Sequence, residues 1–147
     1  MRQAIDAGIL AQAHIPSTPE DHKVRRFLLN GLNTPGRKFA LTPGTLHEFV
    51  HLVTDPRRFK PPLSMAEALS VTRLYLGKSN VEVLATDEEC VADAVLHSER
   101  LGLQGDRFAD ALLAATLLKN DIREIVTTNP EDYETFEELR VIDPLET

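Results

Sequence analysis

Apolar residues recur at spacings of three and four along most of the chain, and each such stretch predicts a helix. Val24, Phe27, Leu28 and Leu32 give an amphipathic helix that closes near Asn33-Thr34-Pro35-Gly36. Leu46, Phe49, Val50 and Val53 give another over Gly44 to Val53, entered through Thr42 as cap and Pro43 at the first helical position. Ser64 begins a helix carrying Met65, Ala68, Leu69, Thr72 and Leu76 and ending at Gly77; Asp87 opens one with Val91, Ala94, Val95 and Leu101, stopped by Gly102. Phe108, Ala111, Leu112, Ala115 and Leu118 mark a helix with Asp106 at the expected N-cap and Asp110 one turn in, on the same side.

Between the helices lie short apolar and β-branched runs: Ala4-Ile5, Phe39-Ala40-Leu41, Val81 to Leu84, Glu124 to Thr127 and Leu139 to Ile142. The first is followed at once by Asp6 and a helical Ala7-Gly8-Ile9-Leu10-Ala11. Short strands alternating with longer helices predict an α/β fold, a parallel sheet covered by helices on both faces, with residues 1–147 as a single domain.

A length of 147 residues suffices for one sizeable core, and 42% hydrophobic with 27% charged residues is ordinary globular composition. No apolar run approaches the roughly 18–20 residues of a membrane span, and Met1 to Asp6 is no signal peptide, so a cytoplasmic location is expected. The lone Cys90 excludes an internal disulfide and is read as packing. A net charge of −7 argues against passive wrapping of nucleic acid, although bound divalent cations can reverse the sign of an acidic pocket locally. Lys23, Arg25 and Arg26 are read as a solvated helix face, and Arg57, Arg58 and Lys60 as a basic turn.

Candidate chemistry resides in the acids. Asp6 sits at a strand-to-helix junction, where it is either an N-cap or a site residue. Thr128-Asn129-Pro130-Glu131-Asp132 follows a strand, Asp110 opens a helix, and Glu48 lies within one. In a parallel sheet these positions can converge at the carboxyl ends of central strands. Converging carboxylates must share protons or bind a cation, and an all-oxygen set suits Mg²⁺ or Mn²⁺. His47-Glu48-Phe49-Val50-His51 also matches H-E-x-x-H, the helix of zinc peptidases. Its flanks lack the extended Gly and His pattern and offer no evident third ligand. The plain alternative is a helix with His47 and His51 exposed or packed.

In the order and spacing of these motifs the chain resembles the PIN-domain nucleases, and most closely their VapC-like branch of toxin ribonucleases. The resemblance runs from Ala4-Ile5-Asp6 through Leu46-His47-Glu48-Phe49 and Asp110 to Ala115, on to Val126-Thr127-Thr128-Asn129 and Asp132-Tyr133. It implies a single PIN-like domain and a metal-dependent endoribonuclease, in which Asp6, Glu48 and Asp110 match the three acidic positions that hold Mg²⁺ or Mn²⁺. Asn129, Asp132 or Asp106 are candidate additional ligands. Under this resemblance Glu48 takes the family's acidic helix position and the flanking histidines are incidental. It further implies an RNA substrate cut to a 5′-phosphate and a 3′-hydroxyl, a homodimer, and a cognate antitoxin that presents Arg or Lys to the acids. Two departures stand out: Ala7-Gly8 replaces the common Thr-Asn after the first Asp, and the fourth acidic position holds Asn129. They keep open the alternative of a weak or inactive PIN-like module that binds RNA or protein.

Overall fold

Every strand of the sheet is short and carries apolar residues at its centre or carboxyl end, as burial between two helical layers demands of a parallel sheet. The computed structural model describes residues 2–146. In chain order the elements are β1 (Arg2–Ile5), α1 (Ala7–His14), α2 (Pro19–Leu32), β2 (Lys38–Leu41), α3 (Pro43–Val53) and α4 (Met65–Gly77). There follow β3 (Val81–Val83), α5 (Glu88–Leu101), α6 (Arg107–Lys119), β4 (Glu124–Val126) and β5 (Arg140–Ile142), with 3₁₀ turns at Pro130–Asp132 and Pro144–Glu146.

The strands pair in the order β3-β2-β1-β4-β5, all parallel. Ala4 is paired with Ala40 on one side and Ile125 on the other, so β1 is central. Alternation along the strands divides the apolar residues into two layers. Ile5, Leu41 and Val126 pack with Ile9 and Leu10 of α1, Leu28 of α2 and Phe49 of α3. Ala4, Ala40 and Ile125 face Cys90 and Ala94 of α5 and Ala111, Ala114 and Ala115 of α6. The expected sheet with helices on both faces is thus the architecture found.

Helix starts follow local chemistry. Thr42 accepts a hydrogen bond from the Thr45 N–H and Asp87 from the Cys90 N–H. Thr18 and Ser64 form reciprocal capping boxes with Asp21 and Glu67. Gly102 closes α5 at φ 65°, a left-handed value that favours glycine. Asp106 departs from expectation: its backbone is already helical (φ −62°, ψ −19°), which turns its side chain away from the first-turn N–H groups, and it makes no capping bond.

Two helices also bury a different face from the one their larger residues suggest. In α5, Cys90 and Ala94 are buried while Val91, Val95 and Leu101 are exposed. Small residues on α5 meet the alanines of α6, and that close approach leaves the larger aliphatics outside. In α4, Ala68 and Tyr75 are buried whereas Met65, Leu69 and Leu76 are exposed. Cys90 is a buried free thiol, as its packing role requires.

Candidate active site

At Asp6 the chain leaves the central strand, and the strand order reverses there: β2 and β3 lie to one side of β1, β4 and β5 to the other. Such switch points leave a crevice beyond the carboxyl ends of the strands. Asp6 serves both roles considered for it, cap and cavity wall. Its extended backbone (φ −83°, ψ 168°) makes it the N-cap of α1, with Oδ1 accepting from the Ile9 N–H at 2.9 Å. Oδ2 accepts from the Thr127 hydroxyl at 2.5 Å. The side chain is buried, at 7% exposure. Burial pushes its carboxyl up to about 6; the Thr127 and Ile9 bonds oppose the rise, and the charges of Glu48 and Asp132 add to it.

Thr42 and Pro43 start α3 so that Glu48, one turn further on, stands exposed at the mouth of the same crevice. Its carboxyl is raised by desolvation and by the charge of Asp106, with Arg58 pulling the other way. On α6, Asp110 is pushed up to about 6 by desolvation, then by Asp132 and Glu48, against the pull of Arg107. Arg107 Nε lies 3.3 Å from Asp110 Oδ2 but is not aligned to hydrogen-bond to it, so this is a loose ion pair. Asp132 sits in the turn after β4, and its charge is felt by Asp6, Glu48 and Asp110 alike.

These elements enclose a cavity of about 130 Å³ lined by Asp6, Glu48 and Asp110, with Thr42, Thr116 and Tyr133 completing its wall. Tyr133 is buried, and burial together with the surrounding carboxylates raises its hydroxyl pKa. Asn129 lies outside this cavity and lines a neighbouring one with Gly8, Gln12 and Arg58. Asp106 is exposed and reaches the cavity through its effect on Glu48. His47 and His51 are exposed and line neither cavity. The parts that sequence alone did not assign are Thr127, Arg107 and Tyr133. The polar end of β4 was the only signal for the first of them.

Like-charged groups facing one cavity favour a proton or a cation, and three oxygen-donor side chains suit a hard divalent ion. Among the described residues, no three His, Cys, Asp or Glu side chains are already drawn to one point. The Asp6 oxygens are engaged by Ile9 and Thr127, and Asp110 leans on Arg107. The all-oxygen donor chemistry fits Mg²⁺ or Mn²⁺, and the carboxylates would have to draw together to hold the ion.

A doubly covered parallel sheet with acids gathered at its central switch point is the arrangement of a PIN domain. The PIN domain family model matches residues 4–139, and the chain belongs to that family. It is 26% identical over 140 residues to Ribonuclease VapC33 of Mycobacterium tuberculosis, covering 95% of this chain and 96% of that one. Mycobacterium tuberculosis VapC20, described as a sarcin-ricin loop cleaving toxin, superposes with a TM-score of 0.71 at 15% identity, over 92% of this chain and 95% of that one. A toxin-antitoxin complex from Klebsiella pneumoniae superposes with a TM-score of 0.63 at 15% identity, over 97% of each chain.

Proposed function

We propose that this chain is an endoribonuclease that hydrolyses RNA phosphodiester bonds with Mg²⁺ or Mn²⁺, and that it is the toxin of a type II toxin–antitoxin pair. The observation that carries the reading is the convergence of Asp6, Glu48 and Asp110 on one cavity at the switch point of a PIN domain. The ribonuclease name of the VapC33 relative supports the substrate class, and the Klebsiella complex supports a protein antitoxin as partner. A cytoplasmic homodimer acting as one domain over residues 1–147 completes the reading.

Asp6, Glu48 and Asp110 would hold the cation, with Asp132, Asn129 or Asp106 as further oxygen donors. A bound divalent cation supplies an activated water and offsets charge on the scissile phosphate. The protein's own contribution is orientation. Thr127 and the Ile9 N–H fix both Asp6 oxygens, and Arg107 holds Asp110 without a tight hydrogen bond that a ligand would have to break. Tyr133 and the threonines wall the cavity, so the carboxylates act in a partly desolvated space where charge interactions are strong.

The test is cleavage of a structured-RNA pool by the purified protein in EDTA, Mg²⁺, Mn²⁺ or Zn²⁺, beside Asp110→Asn and Glu48→Gln. Cutting that needs Mg²⁺ or Mn²⁺ and falls by orders of magnitude in both variants is expected. Mn²⁺ binding without any cleavage would replace the nuclease with a binding module.

A further inference from the structure

We propose a second, cationic site, between α2 and the amino-terminal ends of β1 and β2, that binds the phosphodiester backbone of single-stranded RNA. Although the chain carries a net charge of −7, Lys23, Arg26 and Arg37 line one open cavity of about 620 Å³ together with Asn30, Gln3 and Phe27. Among the described residues, none of these three cations is ion-paired with a carboxylate. Like charges gathered with no carboxylate ion-paired to them repel one another, and an anion joining them relieves that repulsion.

Arg37 is held in place rather than merely exposed. Its Nη2 donates to Gln3 Oε1 at 2.9 Å, and its guanidinium lies 4.9 Å from the ring centre of Phe27 and 5.2 Å from that of Phe39. Gly31 makes room for this packing inside α2, since a Cβ there would come within 2.6 Å of Phe39 and 3.5 Å of the Arg37 guanidinium carbon. A guanidinium fixed in this way loses little further entropy on binding an anion.

The form of the site selects a chain of phosphates over a single one. Lys23, Arg26 and Asn30 fall on one stripe of α2 that runs about 10 Å, seven residues at a rise of roughly 1.5 Å each, with Arg37 across from them. The cavity shares no lining residue with the one walled by Asp6, Glu48 and Asp110. The site rests on the ribonuclease reading above and adds to it a substrate contact away from the carboxylates.

Binding of a fluorescein-labelled single-stranded RNA, followed by anisotropy in EDTA across a KCl series, tests the site. The exposed pair Lys23→Glu/Arg26→Glu is compared with Arg73→Glu/Arg100→Glu, also exposed and carrying the same change in net charge. Loss of two phosphate contacts should weaken binding roughly tenfold or more at low salt and flatten the slope of log K against log salt by about 1.4. The control pair should change binding less than twofold. Equal losses in both pairs, or none in either, overturn the proposal. Calorimetry with inorganic phosphate separates the sources: millimolar phosphate bound at Lys23 and Arg26, with RNA affinity unmoved by their reversal, makes this a free-phosphate site and overturns the RNA assignment. Wild-type protein that cuts RNA while the reversed pair binds and cuts it identically defeats this site alone; wild-type protein that neither binds nor cuts RNA defeats the ribonuclease reading along with it.

Discussion

The Thr127 hydroxyl donates to Asp6 Oδ2 at 2.5 Å, joining the end of β4 to the end of β1 across 121 positions of sequence. The same oxygen of Thr127 accepts from the Asn129 N–H at 3.0 Å, so one fully buried side chain holds both the carboxylate and the loop that follows. Thr127→Val keeps the shape and removes the hydroxyl. The buried Asp6 oxygen then loses its partner, at an expected cost of about 1–3 kcal/mol in urea unfolding, with RNA cleavage reduced and both restored by Thr127→Ser. Unchanged stability and activity in the valine variant would remove Thr127 from the site.

Asp110 gives a prediction of opposite sign. Its carboxyl is raised from 3.8 to about 6, so the folded state holds its proton more tightly than the unfolded one. Stability is therefore lost as pH rises from about 4 to 6, and the whole cost remains at neutral pH. Asp110→Asn should raise the unfolding free energy at pH 7 in EDTA by about 1–2 kcal/mol, a figure tempered by the partial exposure of the carboxylate. Mn²⁺ should stabilise the wild type and do little for the variant. Thermal unfolding with and without Mn²⁺ measures both; an asparagine variant less stable than wild type in EDTA would refute it.

His14 acts in the same acid window with the reverse slope. Its Nε2 is 2.7 Å from the Tyr75 hydroxyl, and burial, helped by Arg25, pushes it down from 6.5 to about 4. The unfolded chain takes up this proton first, so stability falls as pH drops from about 6.5 towards 4, by up to roughly 3 kcal/mol. His14→Phe should flatten that loss. The loss of a hydrogen bond to Tyr75 shifts the curve at every pH, so the slope between pH 7.5 and 4.5 in chemical unfolding is the quantity to compare.

Two glycines separate packing from propensity. Gly31 and Gly77 both lie in helices, where alanine is favoured over glycine by about 1 kcal/mol. At Gly31 a Cβ would meet the buried Phe39 ring at 2.6 Å, so Gly31→Ala should lower stability by about 1–3 kcal/mol. At Gly77 nothing lies within 4 Å, and Gly77→Ala should raise the melting temperature slightly. Equal effects at the two positions would contradict the close contact.

Much of the fold was legible because it is written in local terms. Thr42-Pro43, Ser64 and Asp87 announce helix starts through a hydrogen bond to the chain three residues on, and the five strands stand out as brief apolar runs. The convergence of Asp6, Glu48 and Asp110 on one cavity could be anticipated from Asp6 at a strand end, Asp110 in the first turn of a helix and Glu48 inside the helix that follows β2. Asp106 misled because capping depends on its own backbone angles, which composition does not reveal. The outward turn of Val91 and Val95 is set by the alanines of α6, about twenty residues away, and His14 meets Tyr75 only through tertiary packing. The pairing of Arg107 with Asp110 was within reach at three residues' spacing.

The central place of β1 has a bearing on synthesis. β1 needs neighbours on both sides, and one of them starts only at Glu124, well over a hundred residues later in the chain. A growing chain cannot close its sheet around Asp6 until β4 has left the ribosome, and such distant pairing is slow to form. Under the ribonuclease reading, a fragment that stops before β4 would be harmless to the cell that makes it, and RNA cutting would begin only once β4 has joined β1.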